Sequence, residues 1–110
     1  YKTARILNST TVRFSGSSTT STTINWEVIE YNPDFISKIQ KGFWSASSGN
    51  VTIESVNLAK SYVTGTWQGW TGGSPNAYWG LLAFHLSNST TIQIYGNTAQ
   101  TGYWQVVEFK

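Results

Sequence analysis

The sequence holds no cysteine and no methionine, two prolines, one histidine and only 11% charged residues. Without Cys there is no disulfide, no thiol nucleophile and no thiolate zinc site, and redox chemistry marks no compartment. The lack of Met, with a start at Tyr1, is what a processed or excised piece of a longer protein would show. Seven basic residues against five acidic ones leave a net charge of +2. Those seven (Lys2, Arg5, Arg13, Lys38, Lys41, Lys60 and Lys110) do not cluster. A nucleic-acid groove must neutralise several phosphates together, so no nucleic acid is expected as a partner. No apolar run reaches the ~20 residues of a membrane helix, so no membrane insertion is expected. No basic-then-apolar N-terminus marks a retained signal peptide.

The scarcity of ionisable groups also bears on catalysis. Glu27, Glu30, Asp34, Glu54, Glu108 and His85 are the whole set of acids plus histidine. Glu27 and Glu30 point to opposite faces of a strand and make no acid–base pair. His85 has no Asp partner beyond Asp34, and one imidazole is not a metal site. Its plain reading is a half-buried ring bonded to a carbonyl or facing a subunit axis. Calcium cages use several carboxylates. The expectation is a non-enzyme, with no catalytic residue, metal or cofactor.

What is abundant is β chemistry: aromatics at 15% and many Ser, Thr and Gly. At 110 residues the chain suits one domain with its own core. Its C-terminal part echoes its N-terminal part. Residues 9–14 read STTVRF and 89–94 read STTIQI; 26–31 read WEVIEY and 104–109 read WQVVEF. The first pair is offset by 80 and the second by 78. The two-residue difference falls in turn-rich sequence, as expected of a duplicated hairpin, 9–31 and 89–109.

Helical signals are nearly absent. Asp34 is placed to cap a turn after Asn32-Pro33, and 34–41 reads as a linker entering a strand. Turn chemistry predicts strands near 3–7, 10–15, 22–31, 39–46, 50–57, 60–67, 77–87, 89–95 and 102–110, with a hairpin turn at 47–50 and a longer loop at 71–76. Such spacing implies an all-β antiparallel sandwich or barrel. In 102–110 both faces are apolar, Trp104 and Val106 on one and Tyr103, Val107 and Phe109 on the other. Its outer face should therefore be covered by the second copy, by a bulge or by another subunit. Glu108, on the Trp104 side, and Glu30, its counterpart in 26–31, are each expected to bond neighbouring backbone or an interface Arg.

The block order Ile39-Gln40-Lys41-Gly42-Phe43, Val51-Thr52-Ile53-Glu54-Ser55-Val56, Ala83-Phe84-His85-Leu86, Ser89-Thr90-Thr91-Ile92 and Tyr103–Phe109 resembles the H-type lectin-like unit. That unit occurs in invertebrate agglutinins and phage virion and tail proteins. The resemblance implies a six-stranded antiparallel β-sandwich, often trimeric, over 39–109. Residues 1–31 resemble the closing strands of a preceding repeat within a single domain, 1–110. The agglutinins hold N-acetylgalactosamine with a Trp-His pair in the last hairpin. Tyr95-Gly96-Asn97-Thr98 has neither residue, so that pair is not carried over.

The segment with functional content is 64–80, TGTWQGWTGGSPNAYWG. Its Gly and Pro residues favour loop, and exposed indoles call for a partner. Rings beside amides and hydroxyls are what a sugar site uses, stacking on C–H faces and bonding hydroxyls. The candidate ligand-binding residues are Trp67, Gln68, Trp70, Asn76 and Tyr78, with Trp67 also able to end a strand inward. The resulting expectation is a glycan- or receptor-binding module of a phage virion or tail appendage, virion-borne or extracellular, acting as a homotrimer. The alternatives are a purely structural capsid or fibre block and a carbohydrate-binding module of a polysaccharide-degrading enzyme.

Overall fold

The computed structural model describes residues 2–16, 25–68, 82–96 and 99–110. Within them the protein is all-β and antiparallel. Strands β1 (Lys2–Asn8) and β2 (Thr11–Gly16) form a two-stranded hairpin. Strands β3 (Ile36–Ala46), β4 (Gly49–Thr52), β5 (Ser61–Gln68), β6 (Leu82–Asn88), β7 (Thr91–Gly96) and β8 (Gln100–Phe109) form two three-stranded sheets, ordered β3-β8-β5 and β4-β7-β6. The sheets face each other across one core, in which Ile92, Ile94 and Leu82 from one sheet meet Trp104 and Val106 from the other. This is the antiparallel β-sandwich expected from the strand spacing.

Alternation explains which residues enter that core. In β8, Trp104 and Val106 point inward at 9% and 1% exposure. Register places Trp104 between Gly42 of β3 and Gly65 of β5. Both glycines are needed for close approach. A Cβ at Gly42 would stand 2.5 Å from the Trp104 ring, and one at Gly65 would stand 2.4 Å from the ring of Phe84 in the opposite sheet. The indole thus fills the space over one neighbour and Phe84 fills the space over the other. At ~25 cal/mol per Å² of apolar surface, such large rings supply much of the burial in a core this small.

The end of the sandwich is closed by loop backbone. Residues 53–57 are not the strand continuation that the apolar pattern of 50–57 suggests; β4 ends at Thr52. Ile53 N–H donates to Thr90 O at 2.9 Å and Val56 N–H to Ser89 O at 2.9 Å. These two bonds tuck Ile53 and Val56 inward, at 7% and 5% exposure. The apolar pattern therefore reports burial, reached without a ladder.

Other expectations change for topological reasons. Ser47–Asn50 is not a hairpin turn: β3 and β4 lie in different sheets, so this turn is a corner between layers. Gly49, at φ +154°, serves it, because a Cβ there would meet the Trp44 ring at 2.9 Å. β7 and β8 also lie in different sheets. Gly96, at the end of β7, packs against the Ser47 corner, with Ser47 O 2.3 Å from where its Cβ would lie. The turn before β3 is capped by Asn32, not Asp34: Asp34 N–H donates to Asn32 Oδ1 at 2.9 Å. His85 is exposed on the outward face of β6, opposite Gln93, because residues 82–88 alternate instead of being buried on both sides.

The expected strand at 22–31 is the largest departure. Its described part, 25–31, belongs to no sheet. The preceding hairpin, however, reproduces β6–β7. In β1–β2, Ile6 pairs with Val12 and Asn8 with Thr11, with a register shift between Ile6 and Asn8. In β6–β7, Leu86 pairs with Ile92 and Asn88 with Thr91, with the shift between Leu86 and Asn88. Both turns are tied alike. Thr10 N–H and Oγ1 donate to Asn8 Oδ1 at 3.0 and 3.1 Å. Thr90 N–H and Oγ1 donate to Asn88 Oδ1 at 2.9 and 3.1 Å. An Asn side chain that replaces a backbone acceptor two residues on is a local device, so it survives in both settings.

Candidate functional site

The outer face of the β3-β8-β5 sheet carries Phe43, Tyr103 and Thr66 in one cross-strand row, Lys41, Gln105 and Thr64 in the next, and Ile39, Val107 and Tyr62 in a third. Val107 is fully buried at 0% exposure. Cover for this face comes, among the described residues, from Ala4, Arg5 and Tyr31 of the same chain. Thr66 Oγ1 donates to Ala4 O at 3.1 Å, and the Arg5 guanidinium donates to Tyr103 Oη at 3.4 Å. The same guanidinium lies 5.4 Å from the centre of the Tyr103 ring, within cation–π range. At the other end Tyr31 packs edge-on against Phe109, with ring centres 5.8 Å apart, and shares a short hydroxyl–hydroxyl hydrogen bond with Tyr62. Burial, then the Tyr31 hydrogen bond and the nearby Tyr31 charge, pushes the Tyr62 phenol up to about 12.

Between these two attachments lies an open cleft of about 740 Å³. Its floor includes Phe43, Tyr62, Tyr103, Thr64 and Gln105, and its roof includes Arg5 and Glu27. Phe43 is 56% exposed and meets the Tyr103 ring edge-on, with centres 5.4 Å apart. A smaller cavity of about 160 Å³ shares Arg5, Phe43 and Tyr103 and reaches Arg13, which pairs with Arg5 across the hairpin. Flat rings, one amide, hydroxyls and a basic end therefore share one concavity, within the size range of small-molecule sites.

Of the ligand-binding candidates singled out from sequence, Trp67 is the one whose side chain is described. Trp67 is half-buried in β5, packed against the core, with its ring 6.3 Å from that of Phe84. It ends its strand inward, the second of the two roles the sequence allows. Gln68 closes β5, its backbone paired with Thr101, and its side chain lies outside the described residues. Trp70, Asn76 and Tyr78, with the rest of 69–81, also lie outside them. Glu108 meets nearby backbone: its Oε1 accepts the Asn57 N–H at 2.7 Å. Among the described residues no three His, Cys, Asp or Glu side chains gather as metal ligands.

No protein-family model, characterised protein or solved structure matches this chain. The cleft thus stands on its own chemistry. Its signal in the sequence was the two-faced apolar pattern of 102–110, which asked for a cover. What the sequence could not supply was the identity of that cover, because Arg5 and Tyr103 are 98 positions apart.

Proposed function

We propose that the chain is a non-enzymatic binding module that takes a glycan, as part of a receptor or free, in the cleft between the β1–β2 hairpin and the outer face of β3-β8-β5. The observation that carries this reading is the exposed ring of Phe43 beside Tyr103, Gln105 and Thr64 in a cavity of about 740 Å³. A pyranose presents C–H faces to a ring and hydroxyls to amide and hydroxyl partners. Individual sites of this kind are weak, and a trimeric virion or tail appendage, the setting that the lectin-like resemblance implies, would multiply them by avidity. The test is a glycan array with the natural chain, Phe43→Ala and Gln105→Ala. Binding that is lost in both variants, with the fold of 36–109 intact by circular dichroism, supports the cleft. Binding that persists in both moves the site to another surface, and no glycan binding at all removes the reading.

A purely structural building block is the second reading, and one observation favours it. Trp26, Val28 and Ile29 are 62%, 47% and 60% exposed, an apolar stretch of the kind that assembly interfaces cover. On that view, substitutions at 26–29 change assembly and leave glycan binding at zero.

A further inference from the structure

The echo between 26–31 and 104–109 pairs like residues in opposite surroundings. At an offset of 78, Trp26 corresponds to Trp104, Val28 to Val106 and Ile29 to Val107. The second set is 9%, 1% and 0% exposed, the first 62%, 47% and 60%. The difference lies in the neighbours. β8 is the central strand of its sheet, hydrogen-bonded to β3 on one edge and β5 on the other. Residues 25–31 follow a hairpin registered like β6–β7, as β8 does, yet among the described residues no strand pairs with either of their edges. On the Trp26 side the indole meets the Phe14 ring, at 6.2 Å between centres.

We infer that residues 26–31 are the central strand of a second sandwich, built to be completed by a segment of polypeptide patterned like residues 36–68. That segment contributes two outer strands, antiparallel to 26–31, one on each edge. It carries a glycine opposite Trp26 on one edge, as Gly42 stands opposite Trp104, because a Cβ there would collide with the indole. The position matching Gly65 is freer, since the Phe84 ring that a Cβ at Gly65 would meet has Ala4 as its counterpart. It also offers a loop N–H to Glu30, at the place where Asn57 N–H meets Glu108 Oε1 at 2.7 Å. A folded second copy of this chain does not fit, because its β3 and β5 are already paired with its own β8. Strand addition of this kind draws its strength from backbone bonds and its selectivity from the alternate side-chain pockets. The inference does not depend on the cleft taking a glycan.

The experiment fuses a second copy of residues 32–80 ahead of Tyr1 of the full chain, which sets the added 36–68 as far ahead of β1 as the natural 36–68 lies ahead of β6. Hydrogen exchange then compares amides 26–31 with amides 104–109. In the extended protein 26–31 should slow by about a hundredfold or more, towards the protection of 104–109. Trp26 emission, isolated by comparison with Trp26→Phe, should shift to the blue. Gly42→Val placed only in the added copy should abolish both effects while 104–109 stay protected. Unchanged exchange of 26–31 in the fusion overturns the inference. So does protection of 26–31 in the 110-residue chain that rises with protein concentration, which assigns the strand to a second copy. Glycan binding is read separately, through Phe43 and Gln105, so failure of either reading leaves the other standing.

Discussion

A Cβ added to Gly42 would stand 2.5 Å from Cζ2 of Trp104, so the indole of β8 lies directly over the backbone of β3. Neither residue can change without the other. Gly42→Val should destabilise the protein by ~1–3 kcal/mol through overpacking, and Trp104→Ala by ~3–5 kcal/mol through the cavity it leaves. The double variant Gly42→Val with Trp104→Ala should cost less than the sum, because the added methyls enter space the indole vacates. Urea midpoints of the four proteins check this, and strict additivity would mean that the two positions do not meet.

The Tyr31–Tyr62 contact makes a prediction about alkaline pH. A phenol is neutral when protonated, and the Tyr62 pKa lies near 12 against an ordinary value of 10.0. The folded state therefore holds this proton more tightly than the unfolded chain. The stability it confers is fully present below pH 10 and is lost as pH rises from about 10 to 12. Absorbance at 295 nm should show one tyrosine titrating late, and Tyr62→Phe should remove that late step. If the late step remains in Tyr62→Phe, another phenol is responsible.

Gln40 and Lys38 both reach the loop after β4, and they should differ in weight. The Gln40 amide donates to Glu54 O at 2.9 Å and accepts Glu54 N–H at 2.7 Å, acting like one residue of a ladder. Lys38 Nζ lies 3.1 Å from Glu54 Oε2, whose side chain is 75% exposed. Removing the first takes two hydrogen bonds from exposed backbone that water can partly replace, so Gln40→Leu should cost ~0.5–1.5 kcal/mol. Glu54→Gln should change stability by less than ~1 kcal/mol, since exposed ion pairs are weak and screened. Thermal unfolding at two salt concentrations separates them: only the second should depend on salt.

How far the sequence could be read follows from the range of each interaction. Alternation within a strand is local, so the strands 3–7, 10–15, 39–46, 60–67, 89–95 and 102–110 lie close to β1, β2, β3, β5, β7 and β8. The apolar run at 50–57 spoke of burial, but its backbone bonds run to Ser89 and Thr90, which no local pattern contains. The WEVIEY segment carries strand chemistry as strong as that of β8. It lacks only the neighbours that turn such chemistry into a strand, and neighbours are not written in the segment itself. The cleft was legible in part: the apolar outer face of 102–110 asked for a cover, while the pairing of Arg5 with Tyr103 needed three dimensions. Of the aromatic candidates at 67–78, Trp67 takes the inward of its two expected roles, and its ring partner Phe84 lies outside the segment that local pattern covers.

The two Asn-centred turns give a matched pair of substitutions with unequal results. Asn8 and Asn88 accept the same two hydrogen bonds from Thr10 and Thr90, so the local loss on Asn→Ala should be alike, about 1 kcal/mol each. Their settings differ. The Asn88 turn joins β6 to β7, whose Ile92 and Ile94 are 0% and 1% exposed in the shared core. The Asn8 turn joins a hairpin held to the sandwich by Thr66–Ala4 and Arg5–Tyr103. Asn88→Ala should therefore lower the global unfolding free energy, seen at every slow amide in 36–109. Asn8→Ala should speed exchange within 2–16 and leave the slow amides of β7 and β8 unchanged, because the hairpin opens as a separate, less stable unit. Equal loss of protection across both regions in each variant would mean that the hairpin and the sandwich unfold as one.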